Sequence, residues 1–202
     1  MSWRDVVAAH PALAECKSDV TAAAELLIES VRSGGKLLMC GNGGSASDCE
    51  HWAAELLKNY RVERPADDRV SSVAPALRAP IAALPLTSFG AFSTAFANDC
   101  DPHSTFAQLV LAFGRPGDVL CAISTSGRSR NVLLAVKVAR ALGIRVLGMT
   151  GANGEALATL SDVAIKVPAT DTGRIQELQL PLYHHLSEVL EAAIFSTAEA
   201  RQ

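Results

Sequence analysis

Two short loops and two histidine-bearing stretches carry the residue types that could do chemistry. Gly41-Asn42-Gly43-Gly44-Ser45 follows the apolar run Leu37-Leu38-Met39-Cys40, and Ser124-Thr125-Ser126-Gly127 follows Val119-Leu120-Cys121-Ala122-Ile123. Each loop sits where a buried strand should hand over to a helix. Free backbone N–H groups and the positive end of the helix dipole point to one spot there, so a small anion can be held without a metal. Residues Ser124 to Ser129 place four hydroxyl side chains in six positions, beside Arg128 and Arg130. A helix N-cap uses one such hydroxyl, so the surplus points to an anion cradle. The Walker lysine motif and G-x-S-x-G are both absent, so nucleotide hydrolysis and serine-hydrolase chemistry lack their signatures. The expected ligand is a phosphorylated small molecule held by its phosphate, with chemistry elsewhere on it.

His51 and Glu55 are four apart on the helix that the first loop opens, so they share a face. Such a pair can move protons, can ligate a metal, or can be a plain surface ion pair. An ordinary glutamate is a weak base, and a buried place beside Trp52 and Leu56 would make it a stronger one. On the last helix, Gln176 and His184 are separated by about 12 Å of rise and about 80° of rotation, so they meet only by leaning together. Pro181 between them removes a hydrogen bond to the Glu177 carbonyl and favours a bend. His184 alone would also suit a core histidine, and His185 faces elsewhere.

These residues need elements to position them. Helical spacing from Trp3 to Arg32, interrupted at His10-Pro11, predicts an N-terminal helical segment over residues 1–34. Strands are expected at Lys36–Cys40, Ile81–Leu86, Val119–Ile123, Arg145–Thr150 and Val163–Val167. Helices are expected at Ser45–Tyr60, Thr87–Ala97, His103–Phe113, Ser129–Leu142 and Glu155–Leu160, with a long C-terminal helix over 172–200. Residues 61–80 are proline-rich and read as a surface insertion. Short apolar strands alternating with helices predict an α/β fold, a central parallel sheet covered by helices on both faces in three layers, within one domain over 1–202. Ligands should collect at the carboxyl ends of the strands.

Gly41, Gly43 and Ala46 also fit the dinucleotide fingerprint G-x-G-x-x-A. That fingerprint needs a second strand ending in an acid about 20 residues on, where this chain enters its insertion, so no nucleotide cofactor is expected. The 202 residues carry a net charge of -3 and are 19% charged, without a basic stripe, which argues against nucleic acid as a partner. No apolar run approaches the ~20 residues of a membrane span, and the N-terminus lacks a signal-peptide layout. A cytoplasmic protein is expected. The five cysteines show no paired spacing and read as buried thiols.

Taken in order, G-N-G-G-S-A-S-D, H-W-A-A-E-L, A-N-D, G-R-P-G-D-V-L, I-S-T-S-G-R-S and R-I-Q-E resemble the sugar isomerase (SIS) domains, and within them the phosphoheptose isomerases. The resemblance runs from about Ser33 through most of the chain and implies a SIS-type, flavodoxin-like sandwich. It further implies phosphate held by Ser124, Thr125, Ser126 and Ser129, and sugar contacts from Asn42, Gly43, Gly44, Ser45, Asp99 and Gln176. Glu55 resembles the family's catalytic base and His184 its acid. His51, Glu55, Gln176 and His184 match positions that bind zinc in some members. A homotetramer with shared active sites is likewise implied. The implied reaction converts sedoheptulose 7-phosphate to D-glycero-D-manno-heptose 7-phosphate through an enediol. The rival expectations are an isomerase of another phosphosugar and a non-catalytic phosphosugar-binding relative. Such relatives lose the glutamate and histidine that this chain keeps. Gly173 stands where some members place a sugar-binding aspartate, and the 61–80 insertion is longer than in the enterobacterial pattern.

Overall fold

A computed structural model describes residues 2–195. In chain order its elements are α1 (Trp3–Ala9), a 3-10 turn (Pro11–Cys16), α2 (Lys17–Arg32), β1 (Leu37–Cys40), α3 (Gly44–Leu57), α4 (Asp68–Ser71) and β2 (Ala83–Pro85). There follow α5 (Gly90–Asp99), α6 (Thr105–Phe113), β3 (Val119–Ile123), α7 (Arg130–Ala141), β4 (Arg145–Gly151), α8 (Glu155–Leu160), β5 (Val163–Val167) and α9 (Thr172–Phe195). The part of the expected last helix between 196 and 200 lies outside the described residues.

The five strands form one parallel sheet in the order β2-β1-β3-β4-β5. Successive strand residues point to opposite faces, and the core divides accordingly. Leu37, Met39, Val119 and Cys121 pack with α2, α3 and α9, while Leu38, Cys40, Leu120 and Ala122 pack with α6, α7 and α8. The fully buried run Leu37–Cys40 needs no alternation because both faces are covered. The α/β sandwich expected from the strand and helix pattern is the observed fold. Cys16, Cys40, Cys49 and Cys121 are buried free thiols, and Cys100 is exposed.

Several boundaries shifted, such as the helix expected at Thr87–Ala97, which runs over Gly90–Asp99, and two of the shifts have a clear physical reason. The strand expected at Ile81–Leu86 contracts to Ala83–Pro85 on the sheet edge, and a 3-10 turn follows at Leu86–Ser88. Pro85 has no N–H to give to the ladder. The helix expected to reach Tyr60 stops at Leu57, with Lys58 extended, because the next residues are drawn onto α9. The buried Glu191 carboxylate accepts the backbone N–H groups of Tyr60 (2.6 Å), Arg61 (2.7 Å) and Val62 (3.1 Å). The buried Arg64 guanidinium lies 3.2 Å from the same carboxylate, donates to the Leu56 carbonyl, and sits 4.9 Å from the Phe195 ring. Residues 61–80 then return through a bridge between Pro65 and Arg78, with α4 at the tip.

This anchor is a stability element. Glu191→Ala strips three amides and one buried guanidinium of their acceptor, and breaking a buried pair in this way costs about 3–5 kcal/mol. Urea unfolding of the variant should show that loss, and a loss below about 1 kcal/mol would contradict the assignment.

Candidate active site

The strand order turns back between β1 and β3, and in such sheets the crevice at the carboxyl ends of the two strands is where ligands bind. Both loops singled out in the sequence line that crevice. In the first, Gly43 adopts φ 57° and ψ -121°, a conformation suited to glycine. Gly44 opens α3 with the Gln176 amide lying directly against it, where any Cβ would collide. Ser45 is buried behind it. Asn42 reaches across the crevice to Asn131 at the start of α7, the two amides exchanging hydrogen bonds of 3.0 and 2.8 Å.

The second loop is held from below. Ser124 N–H donates to the Met149 carbonyl (3.0 Å), and the Thr125 carbonyl accepts from Gly151 N–H (3.1 Å). Gly127, at φ 64°, packs against the backbone of Gly154 where no side chain fits. The hydroxyls of Ser124 and Ser129 lie 3.0 Å apart. Ser129 stands at the N-cap of α7 yet makes no cap bond; the Val132 amide donates instead to Asn131 Oδ1 (3.0 Å), and among the described residues the first amides of the helix, on Arg130 and Asn131, have no cap acceptor. Ser126 accepts from Arg128 N–H (3.2 Å). A cavity of about 160 Å³ opens over Thr125, Ser126, Arg128, Asn153, Thr170 and Ile175. Since Ile175 precedes Gln176, the start of α9 touches both loops.

Along α3 and α9 the paired contacts advance together: Gly44 with Gln176, His51 with Tyr183 and His184, Tyr60 with Glu191. The two helices therefore run parallel, and this alignment delivers the acid and base candidates. Glu55 is buried, with its side chain 11% exposed, between the fully buried Trp52 and Leu56. Its Oε1 lies 3.4 Å from His51 Nε2, and its Oε2 lies 2.9 Å from Lys58 Nζ, an ion pair without hydrogen-bond geometry. The His51 ring meets His184 edge-on at 5.2 Å. Glu55, His51 and His184 are thus gathered from two helices. Gln176 stays at the Gly44 end, and Asp99 ends the exposed α5 bonded to Asn98. Among the described residues neither shares a hydrogen bond with the other expected site residues.

Three neighbours were not singled out by sequence reasoning. Tyr183 Oη lies 3.0 Å from His51 Nδ1 and donates to Asp48 Oδ1 at 3.4 Å. The other ring nitrogen of His51, Nε2, faces the Glu55 carboxylate. Burial pushes the Asp48 carboxyl and the Tyr183 phenol up from their ordinary values. Tyr60 stacks on His184 with ring centres 5.3 Å apart. The i,i+3 spacing of Asp48 and His51 was the available signal, but nothing local pointed to Tyr183 or Tyr60.

The donors also suit a metal. Glu55 Oε2 and His184 Nε2 are buried without a hydrogen-bond partner, and imidazole nitrogens with a carboxylate are zinc-type ligands. The residues fit such an ion in kind, although among the described residues no three His, Cys, Asp or Glu side chains form a ready-made cage.

Comparison with known proteins places the chain in a family. The SIS domain family matches residues 5–151. The chain is 41% identical over 184 residues to the phosphoheptose isomerase of Rhodospirillum rubrum, covering 91% of this chain and 90% of that protein. It is 44% identical over 170 residues to the phosphoheptose isomerase of Mycobacterium tuberculosis, covering 84% and 80%. The solved structure of phosphoheptose isomerase GmhA from Neisseria gonorrhoeae superposes with a TM-score of 0.76 at 34% identity, over 95% of this chain and all of that one (100%).

The surroundings of His184 fix its charge. Burial, reinforced by His51 and Arg61 and opposed by Glu55, pulls the imidazole below its ordinary 6.5, so it is neutral at neutral pH. Because the unfolded chain takes up the proton first, the stability tied to this group is complete above 6.5 and falls as the pH drops beneath it. In metal-free protein, NMR titration of the His184 ring should give a midpoint below 6.5, and Glu55→Gln should lower it further by removing the opposing charge. A midpoint at or above 6.5, or one raised by Glu55→Gln, would contradict this electrostatic account.

Proposed function

The chain belongs to the phosphoheptose isomerases of the SIS-domain family, and from that premise we infer that it interconverts sedoheptulose 7-phosphate and D-glycero-D-manno-heptose 7-phosphate. What supports this reading is the buried Glu55 carboxylate 3.4 Å from His51, whose ring in turn meets His184, on the helix that starts from the first of the two loops lining the crevice. In it, Ser124, Thr125, Ser126, Ser129 and the leading amides of α7 hold the phosphate. Asn42, Gly43, Gly44, Ser45, Asp99 and Gln176 face the sugar hydroxyls. Glu55 removes the proton on the carbon beside the carbonyl, giving a cis-enediol, and returns it to the neighbouring carbon. His184, neutral when it begins, passes a proton between the two oxygens. The distant phosphate grip positions the reacting carbons, which is where binding energy turns into rate.

Zinc belongs to the same reading. His51, Glu55 and His184, with Gln176 from the start of α9, would hold it, and the chemistry it would supply there is polarisation of the sugar carbonyl. The homotetramer does as well. Helix α5 buries none of its residues within one chain, and Val73 in the insertion is 85% exposed, surfaces that a second copy would cover while bringing Asp99 toward a site. A cytoplasmic location and a single domain over 1–202 complete it. No helix among the described residues is long and apolar enough to cross a membrane.

The test is incubation with sedoheptulose 7-phosphate in deuterated water. Glu55 can exchange the abstracted proton with solvent before returning it to carbon, so product should appear with deuterium on the reacting carbon in at least part of it. Glu55→Gln should reduce kcat by at least about 10²-fold with the fold intact, while Ser126→Ala should act mainly on KM. Saturable binding with neither exchange nor product would favour a phosphosugar sensor. Faster turnover of another phosphosugar in the same assay would move the substrate assignment.

A further inference from the structure

Tyr60 stands at the point where the insertion leaves α3, and three observations fix it there. Its own backbone N–H is held at 2.6 Å by the buried Glu191, two turns beyond His184 on α9. The same carboxylate binds the next two amides and the buried Arg64 guanidinium, so the chain from 60 to 64 is fastened to that helix at several places. Its ring then lies across the His184 ring at an interplanar angle of 27°, with the Arg61 guanidinium 5.0 Å from the phenol's centre and itself held by Glu188 at 2.8 Å.

The His184 imidazole needs such support. Its Nε2 is buried without a hydrogen-bond partner, so hydrogen bonding at that nitrogen leaves the ring free to turn. What surrounds it are rings: His51 edge-on at 5.2 Å, Tyr183 edge-on at 5.1 Å, and Tyr60 nearly parallel at 5.3 Å. Packing between these three rings confines the imidazole, and Tyr60 is the one of them that lies along its face. We propose that Tyr60 is a positioning residue for His184, its ring held by the Glu191–Arg64 anchor so that the imidazole keeps one plane relative to Glu55. This rests on the isomerase reading only in taking His184 as the group that handles the oxygens' proton.

The measurement has two arms. In the first, the ring signals of His184 are recorded by NMR in the wild type, Tyr60→Phe and Tyr60→Ala proteins without substrate. A stacked phenyl shifts them, so Tyr60→Phe should keep the wild-type position and Tyr60→Ala should lose it. In the second, turnover is followed on whichever phosphosugar the wild type uses. Tyr60→Ala should lower kcat by roughly 10–100-fold, the scale of a small misplacement of a reacting group, with KM changed less than about threefold, and Tyr60→Phe should recover most of it. An unmoved His184 signal in Tyr60→Ala would overturn the proposal, as would an unchanged kcat once that signal had moved. If the wild type turned over no phosphosugar, the isomerase reading would fall, and NOEs from the His184 ring to His51 and Tyr183, kept in Tyr60→Phe and changed in Tyr60→Ala, would decide whether Tyr60 orients it.

Discussion

The site depends on how α9 is laid along α3. At one end the amide of Gln176 rests on the bare backbone of Gly44, a place that its side chain would have to leave if another residue stood there. At the far end the Glu191 carboxylate ties α9 to the residues just beyond α3. Between these fixed points the two helices can hardly slide, so His184 has to arrive beside His51 and Glu55. Had α9 slipped by one turn, about 5.4 Å, the imidazole and carboxylate would no longer share a site. Pro181 lies inside α9 without ending it, since a helix packed on a sheet can tolerate one missing hydrogen bond that a solvent-exposed helix could not.

The same packing sets the electrostatics. Aligning the helices buries several groups that would each be ordinary in water, and their responses differ with what they meet. His184 meets apolar and aromatic neighbours and a second imidazole, so its charged form is disfavoured. Asp48 is also pushed toward its neutral form by burial, with Tyr183 opposing that push through its hydrogen bond. Glu191 meets three amides and a guanidinium, which can satisfy a buried carboxylate. One helix thus carries an imidazole held in its neutral form and, two turns on, a carboxylate that holds structure.

Much of this was legible in the sequence, and the remainder was not for a definable reason. The strand runs, the two loops and the i,i+4 pair of His51 and Glu55 are local patterns, and local patterns survive translation into structure. The sandwich followed from them. The Tyr183 bridge, the Tyr60 stack and the Glu191 anchor are contacts between residues more than a hundred positions apart, and Tyr183 reads locally as one more apolar position on α9. Helix ends were the other weakness: α3 stops at Leu57 because Glu191 captures the following amides, which periodicity around residue 57 does not encode.

The division of labour between loop and helices has a physical logic of its own. The Ser124–Ser129 loop is fastened to β4 through Met149 and Gly151 and locked by the Gly127–Gly154 contact, so its donors are in place before a ligand arrives and little ordering cost remains. An anion there is held by many weak donors, none of which must change state during a reaction. Groups that exchange protons need the opposite surroundings, a low dielectric and few competing donors, and the α3–α9 seam supplies that with Trp52, Leu56, Tyr183 and Tyr60. A single environment could not serve both ends of a phosphosugar. The two loops follow neighbouring strands of one sheet, and the start of α9 touches both.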